Sequence, residues 1–247
     1  MISLKLRLIR EHNRMYSFIL SILWKLNGKN TPKVYLFHDL KDDIAEVKSQ
    51  FSITQQSFEH FLLLQLSKGD KPMTYEELKE VVLNKKDEKN RFIVSFDDAN
   101  ESVYTKAYPF LKQHKIPFII FITKELIGKP NYLTKEQIER LSADELCTVG
   151  SHAVHHKMFR YLSIDEANEE LTESKIFLEK WLKCPIEIFA FPYGRVVECS
   201  CRNIRQLKES GNYLFAFSAV AGTLKQSWFS SRFFLPRINV SEKMTEE

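Results

Sequence analysis

Short apolar runs, most of which end in polar residues, alternate along this chain with segments of helical periodicity. Seven runs are predicted strands, at residues 34–37, 93–96, 118–122, 146–149, 186–191, 213–218 and 234–238. Six segments are predicted helices, at residues 55–66, 75–83, 104–114, 135–141, 164–182 and 204–210. Alternating strands and helices favour a mostly parallel sheet, and strands apolar on both faces favour a barrel ringed by helices. We predict an α/β barrel of about seven mostly parallel strands.

The chain of 247 residues, 44% of them hydrophobic, is long enough for one barrel domain. We place this domain at residues 33–247 and treat residues 1–32 as a basic amphipathic N-terminal segment. Residues 1–33 carry seven basic side chains and one acidic one, a net charge of 7 − 1 = +6, whereas the whole chain carries +4. We expect residues 1–30 either to lie on an anionic membrane surface or to dock as a helix on the barrel.

The apolar stretch of this N-terminal segment is too short to span a bilayer, and no small-residue cleavage site follows it. The four cysteines contain no CxxC pair, which fits a reducing compartment. We therefore expect a cytoplasmic protein without a cleaved signal peptide, in contact with a membrane at most peripherally. Beyond the N-terminus the charge is slightly negative, so nucleic-acid binding is not expected, and the oligomeric state stays open.

Two adjacent carboxylates, Asp97 and Asp98, end the predicted strand at residues 93–96. Active sites of α/β barrels are built at this end of the strands. Two like charges that are buried together require a cation or a proton to relieve their repulsion. An Asp-Asp pair is also common in turns and helix caps, so the pair by itself leaves both interpretations open.

Two histidines, His152 and His156, follow the predicted strand at residues 146–149. Four positions apart, they lie on one side of a helical turn, where both imidazoles can bind one metal ion. Two histidines and one carboxylate form an open site that leaves room for water and substrate. At this spacing His155 faces elsewhere, and we interpret it as a neighbour of the site.

A third element, Phe191-Pro192-Tyr193-Gly194, breaks a predicted strand at a proline, an aromatic residue and a glycine. Alone it indicates no more than a tight turn. The ordered set of Ser95-Phe96-Asp97-Asp98, His152-x-x-x-His156 and this turn resembles the NodB-type polysaccharide deacetylases of carbohydrate esterase family 4. The similarity runs from about Val34 to the C-terminus and includes a strand that ends at His38.

This resemblance implies a distorted (β/α) barrel, the NodB homology domain, and a metal-dependent carbohydrate N-deacetylase. The reaction implied is hydrolysis of an N-acyl group, acetyl or formyl, from an amino sugar in a glycan or glycan precursor. The resemblance also implies one divalent metal ion held by Asp98, His152 and His156. We expect Zn²⁺ first, with Co²⁺, Ni²⁺ or Mn²⁺ as alternatives.

The resemblance further assigns Asp97 as the base that takes a proton from the attacking water. Pro192 and Tyr193 are assigned to the substrate side, where the Tyr193 backbone N–H helps to hold the oxyanion. The glycine that usually follows the Asp pair is Ala99 here, a change whose effect depends on whether the backbone needs a positive φ.

Two family residues are absent from their usual positions. Ala190 replaces the arginine that orients the base in many members, and our candidate substitute is Arg237, on the last predicted strand. Nothing after His156 is a histidine, so the C-terminal histidine that protonates the leaving amine is also missing. His38 is our candidate for that acid, because it ends the first strand and faces the same barrel mouth as Asp97.

Three functions remain open on sequence grounds. The first is the sugar N-deacetylase, and the second is a metal-dependent hydrolase of a non-sugar amide. The third is a catalytically silent glycan-binding protein, suggested by the missing arginine and histidine. Retention of all three metal ligands and the base favours an enzyme.

Overall fold

The structure, a computed structural model, describes residues 30–86, 88–227 and 231–245. Residues 1–29, which make up most of the predicted N-terminal segment, lie outside the described residues. Membrane contact, docking on the barrel and the cytoplasmic location therefore stay predictions. Within the described ranges, no helix is both long enough and apolar enough to cross a bilayer.

The described residues form one large, curled parallel sheet and a small two-stranded sheet. The strands are β1 (Lys33–Phe37), β2 (Asp39–Lys41), β3 (Ser52–Thr54), β4 (Lys71–Pro72), β5 (Arg91–Phe96), β6 (Phe118–Ile122), β7 (Cys147–Ser151), β8 (Ile188–Ala190), β9 (Phe215–Phe217) and β10 (Ile238–Asn239). The large sheet follows the order β10-β1-β5-β6-β7-β8-β9, with β4 beside β5, and its pairs are parallel. The predicted distorted (β/α) barrel is confirmed.

Helices connect successive strands of this sheet. They are α1 (Gln55–Ser67), α2 (Tyr75–Leu83), α3 (Tyr108–Gln113), α4 (Lys135–Ser142), α5 (Ile164–Leu182), α6 (Cys201–Ser210) and the short α7 (Leu224–Ser227). The helix predicted from residue 104 instead begins as a π-helix, Val103–Ala107, before α3. Pro109 has no N–H to donate to the carbonyl four residues earlier, which accounts for the irregular turn at this point.

The C-terminal segment contacts both edges of the curled sheet. Leu235 forms a parallel bridge with Phe217 of β9, and Ile238 of β10 pairs with Tyr35 of β1. The prediction of one continuous strand at residues 234–238 was wrong, because Pro236 lacks an N–H for the ladder and divides the segment. Because the segment is divided, residues 235–239 lie between β9 and β1 and contact both strands.

Alternate residues of the strands enter two separate hydrophobic clusters. In β6, Ile119 and Phe121 belong to one cluster, whereas Phe118, Ile120 and Ile122 belong to the other. The first cluster also contains Val34, Ile93, Ile188 and Phe215, from four other strands, together with Leu235. Since successive strand residues point to opposite faces, the sheet is buried on both sides, as the continuous apolar runs predict.

Candidate active site

Polar side chains follow four strands of the large sheet, at the carboxyl ends where the strands stop. His38 follows β1, Asp97 and Asp98 follow β5, His152 follows β7, and the turn with Tyr193 follows β8. Because these strands are parallel, their carboxyl ends meet at one mouth of the barrel. The fold thus brings together side chains that are far apart in the sequence.

Asp98, His152 and His156 form a compact cluster of potential metal ligands. One ligand atom from each residue lies within 4.8 Å of the others. The Oδ1 atom of Asp98 is 3.0 Å from Nε2 of His156 and 3.5 Å from Nε2 of His152. The side chains of Asp98 and His156 are 23% and 24% exposed, whereas that of His152 is buried, so the cluster opens to solvent on one side.

The protonation states of this cluster suit a cation. Burial acts to raise the pKa of Asp98, but the two neighbouring histidines hold it well below its usual value, so the carboxylate is ionised. Asp98 Oδ1 is buried and has no hydrogen-bond partner among the described residues. An ionised, buried oxygen without a donor is unfavourable unless a cation lies beside it, so these residues fit a divalent metal.

A backbone carbonyl orients the first of the two histidines. Nδ1 of His152 lies 2.8 Å from the carbonyl oxygen of Ala190, which only accepts, so Nδ1 carries a proton and Nε2 faces Asp98. Ala190 stands where many family members have an arginine, and here its backbone serves the site. Nothing in the sequence indicates this contact, since any residue offers a carbonyl.

The segment that carries the two histidines is not a helix, which corrects the prediction that a helical turn aligns them. Residues 152–158 form an irregular loop, and Ala153 and His156 have φ values of 67° and 53°. The two imidazoles still converge, with ring centroids 5.1 Å apart. The i, i+4 spacing therefore singled out two histidines that do converge, although no helical turn aligns them.

Asp97 and Arg237 lie beside the cluster as a buried ion pair. The Nη1 and Nη2 atoms of Arg237 donate to Oδ1 and Oδ2 of Asp97, each at 2.7 Å. The side chain of Arg237 is fully buried, and its Nε donates to the Ser218 carbonyl at 2.8 Å. Burial would raise the pKa of Asp97, but Arg237 and His152 lower it, so Asp97 is an ionised carboxylate. Arg237 occupies the place expected of a residue that orients the base.

His38 lies at the same mouth and packs against Phe51, with ring centroids 4.8 Å apart. Its Nδ1 atom is buried and has no hydrogen-bond partner in the described part of the chain. Burial lowers the pKa of His38, while the carboxylates of Asp97 and Asp98 act in the opposite direction, as expected for a ring close to them. The pKa of His38 stays below its ordinary value, and its Nδ1 is not committed to another described residue.

The turn after β8 places an aromatic ring over the second histidine. The ring centroid of Tyr193 is 4.7 Å from that of His156, and Tyr193 is 44% exposed. Gly194, at φ 61°, is required here because an added Cβ would meet the Ala219 nitrogen at 2.5 Å. Pro192 anchors the turn by accepting from the Gly194 N–H at 2.7 Å. Among the described residues, no acceptor is found for the backbone N–H of Tyr193.

The backbone after β5 also takes an unusual course. Asp98 and Ala99 have φ values of 67° and 59°, so the position where the family usually has glycine does adopt the left-handed conformation. An alanine in this region costs roughly 1–2 kcal/mol. With this backbone course the Asp98 carboxylate faces the histidines, while that of Asp97 faces Arg237.

Sequence reasoning missed two residues that contact the predicted site. Phe51 covers one face of His38, and Glu170 of α5 hydrogen-bonds the loop that carries the histidines. Neither residue follows a strand of the large sheet, so the strand-end argument does not reach them. Glu170 interrupts the apolar face of an amphipathic helix, and a charge at such a position was the available signal.

A parallel α/β barrel with a carboxylate–histidine cluster and an arginine-held carboxylate at its mouth defines a barrel hydrolase of the NodB class. Residues 84–210, just over half of the chain, match the family described as polysaccharide deacetylase. The chain belongs to the NodB-type polysaccharide deacetylase family, carbohydrate esterase family 4.

A named relative agrees with this family, and two solved structures share its fold. The poly-β-1,6-N-acetyl-D-glucosamine N-deacetylase of Staphylococcus aureus is 26% identical over 227 residues, covering 86% of this chain and 74% of the relative. IcaB from Ammonifex degensii has the same fold, with a TM-score of 0.75, 22% identity, and coverage of 88% of this chain and 94% of its own. The Streptococcus pyogenes deacetylase PplD, in complex with acetate, superposes with a TM-score of 0.75 at 20% identity, covering 87% and 95% of the two chains.

Proposed function

We propose that this protein hydrolyses an N-acyl group, acetyl or formyl, from an amino sugar in a glycan or glycan precursor. The observation that carries the proposal is the cluster of Asp98, His152 and His156 beside Asp97, whose carboxylate is held by Arg237. It combines a ligand set for one cation with an ionised carboxylate that is not itself in the ligand set. Hydrolysis of an amide by metal-activated water uses both.

The ligand set is that of a divalent cation in an open site, with Zn²⁺ as the first candidate and Co²⁺, Ni²⁺ or Mn²⁺ as alternatives. Two imidazole nitrogens and one carboxylate oxygen leave positions for water and substrate. When bound, such a cation supplies Lewis acidity, which polarises an amide carbonyl and makes water a better nucleophile at neutral pH.

Asp97 acts as the base that accepts a proton from the attacking water. Arg237 holds both carboxylate oxygens of Asp97, so it fixes the orientation of the base and favours the ionised form that can accept a proton. A bidentate pair with a guanidinium allows less rotation than a single hydrogen bond does. Arg237 is therefore a positioning residue that acts through Asp97.

The substrate side of the site is formed by Tyr193 and His38. The Tyr193 N–H, which lacks an acceptor among the described residues, donates to the oxygen that becomes negative as water adds to the amide. His38 donates a proton to the nitrogen of the departing amine, which otherwise is a poor leaving group. Its buried Nδ1 has no hydrogen-bond partner in the described ranges, so the ring is not committed to another residue through this atom.

The named relatives guide the choice of substrate. A protein 26% identical over most of this chain is the poly-β-1,6-N-acetyl-D-glucosamine N-deacetylase, which makes an N-acetylglucosamine polymer the first substrate to test. Short oligomers of N-acetylglucosamine, a lipid-linked or monomeric amino sugar and an N-formylated sugar complete the panel. A simple non-sugar amide represents the competing activity.

The test is acetate or formate release from this panel, with and without chelator and added Zn²⁺, by the full-length protein and by Asp97→Asn. Chelator-sensitive release from the sugars that disappears in Asp97→Asn is the expected result. Release from the non-sugar amide alone would contradict the sugar as substrate. Sugar binding by a metal-loaded protein that releases nothing from any substrate would favour the silent binding protein.

A further inference from the structure

Glu170, in the middle of α5, is a buried carboxylate with no part in the chemistry described above. It is 3% exposed. Its Oε2 accepts from the backbone N–H groups of Val154 and His155, at 2.8 and 2.9 Å, and its Oε1 lies 2.6 Å from Nδ1 of His155. All three contacts fall on the short loop between the two proposed metal ligands, His152 and His156.

The backbone of this loop is strained, so the loop needs stabilising contacts from outside its own residues. Ala153 and His156 both have positive φ, a conformation that costs a non-glycine residue roughly 1–2 kcal/mol. The N–H groups of residues 154 and 155 lie between these two strained positions and have no helical carbonyl to donate to. Hydrogen bonds to an ionised carboxylate are about twice as strong as those between neutral groups, so Glu170 offsets the strain.

A second contact joins the same helix to the start of the loop. Ser174, one turn after Glu170, lies with its Oγ 2.7 Å from Oγ of Ser151, the residue before His152. Ser174 Oγ also lies 2.8 Å from the carbonyl oxygen of Glu170, to which it can donate. Residues four apart share one face of a helix, so α5 presents both groups to residues 151–155.

We propose that Glu170 is a positioning residue for the metal site, which fixes the backbone of residues 152–156 so that both imidazoles reach Asp98. The inference rests on the proposed function, since it takes Asp98, His152 and His156 as the ligands. It goes further by assigning the geometry of the ligand loop to a helix that contributes no ligand. Metal affinity should therefore depend on a carboxylate that never touches the cation.

The experiment is a cobalt titration of metal-free, full-length protein, followed by its visible absorption spectrum, with a competition titration for Zn²⁺. Glu170→Met keeps the length of the side chain but accepts no hydrogen bond, and Glu170→Asp keeps the charge but is one methylene shorter. Glu170→Gln keeps an oxygen for the two backbone N–H groups. Its amide can donate to Nδ1 of His155, whose Nε2 is 3.3 Å from Glu125. The matched control is Glu173→Gln, an exposed position of the same helix paired with Lys124.

We expect Glu170→Met and Glu170→Asp to weaken cobalt and zinc binding by about 10- to 100-fold and to shift the cobalt spectrum. Glu170→Gln should keep most of the affinity, and Glu173→Gln all of it. The inference would be overturned if Glu170→Met and Glu170→Asp kept the wild-type affinity and cobalt spectrum. Should Glu170→Met fail to fold, the result for Glu170→Asp alone decides. Failure of the wild-type protein to bind either cation would instead overturn the proposed metal site, and this role with it.

Discussion

The guanidinium of Arg237 and the carboxylate of Asp97 meet as a parallel fork, with two N–O distances of 2.7 Å, although 140 residues separate them in the sequence. They meet because β10, which follows Arg237, pairs with β1, and β1 pairs with β5, which ends at Phe96 just before Asp97. Arg237 also lies over the rings of Phe121 and Phe217 inside the barrel. The pair thus joins the proposed chemistry to the packing of the core.

Replacement of Arg237 by methionine should destabilise the protein strongly. The change leaves the Asp97 carboxylate buried without its partner, which typically costs about 3–5 kcal/mol. The free energy of unfolding, measured in urea, gives the loss. The double variant Arg237→Met/Asp97→Asn removes the orphaned charge, so it should be more stable than Arg237→Met alone. If the free energy of unfolding of Arg237→Met lies within about 1 kcal/mol of the wild-type value, the ion pair contributes little to stability.

The two adjacent aspartates should give different phenotypes when each becomes asparagine. Asp97→Asn is expected to bind one equivalent of Zn²⁺ but to lose about 10²- to 10⁴-fold in kcat, because it removes a base and no ligand. Asp98→Asn should lose zinc affinity together with activity, because it removes the anionic ligand. Zinc content and acetate release are measured on the same samples, with the exposed Glu101→Gln as the control. Wild-type zinc affinity in Asp98→Asn would contradict the ligand assignment.

Much of this architecture was predictable because strand ends and helix periods are local properties of the sequence. The first six apolar runs overlap β1 and β5 to β9 of the eight-stranded sheet, and the polar residues that follow them, such as Asp97 and His152, meet at one mouth by the geometry of parallel strands. The choice of Arg237 followed from the same reasoning, since the last strand of a barrel lies beside the first. The family resemblance supplied the roles that geometry alone does not.

The parts that escaped prediction depend on contacts between distant residues or on backbone conformation. A helical turn for His152 and His156 was the simplest geometry for their spacing, and only the folded loop, held by Glu170, shows another. The carbonyl of Ala190 carries no sequence signal at all. Residues 234–238 were predicted as a strand, and the structure shows that the segment divides at Pro236 and contacts two strands instead of forming one.

A carboxylate remote from the mouth should make folding stability depend on pH. Glu179 of α5 accepts from Lys175 at 2.7 Å and from the Ile186 N–H at 3.0 Å, where the chain enters β8. Burial acts to raise the pKa of Glu179, but these two donors lower it below its ordinary value of 4.5. A pKa lower in the folded than in the unfolded protein stabilises the fold above pH 4.5, and that stability is lost as the pH falls through the folded value.

The comparison of wild type with Glu179→Gln isolates this contribution. The difference in their free energy of unfolding should be largest near neutral pH and should shrink as the pH falls below the ordinary glutamate value. Because the side chain is 33% exposed, solvent screens part of the effect, and we expect at most about 1 kcal/mol. The exposed Glu169→Gln on the same helix serves as control. A difference that stays constant down to acidic pH would mean that the carboxylate is not what stabilises this junction.

The role proposed for His38 can be separated from a structural one by changing the leaving group. An amine needs a proton to depart, whereas the nitrophenolate of p-nitrophenyl acetate does not. His38→Ala should therefore slow deacetylation of N-acetylglucosamine oligomers by about 10²- to 10⁴-fold but slow the ester much less. Asp97→Asn should impair both reactions, because water must be activated in each.

Measurement of kcat for the two substrates, together with zinc content, distinguishes a catalytic role of His38 from a structural one. His60→Ala, at an exposed histidine of α1, controls for the loss of an imidazole elsewhere. If His38→Ala slows the amide and the ester equally while retaining zinc, the histidine supports the site through its contact with Phe51 and does not protonate the amine. A selective loss on the amide would place the acid at His38, directly after the first strand of the barrel.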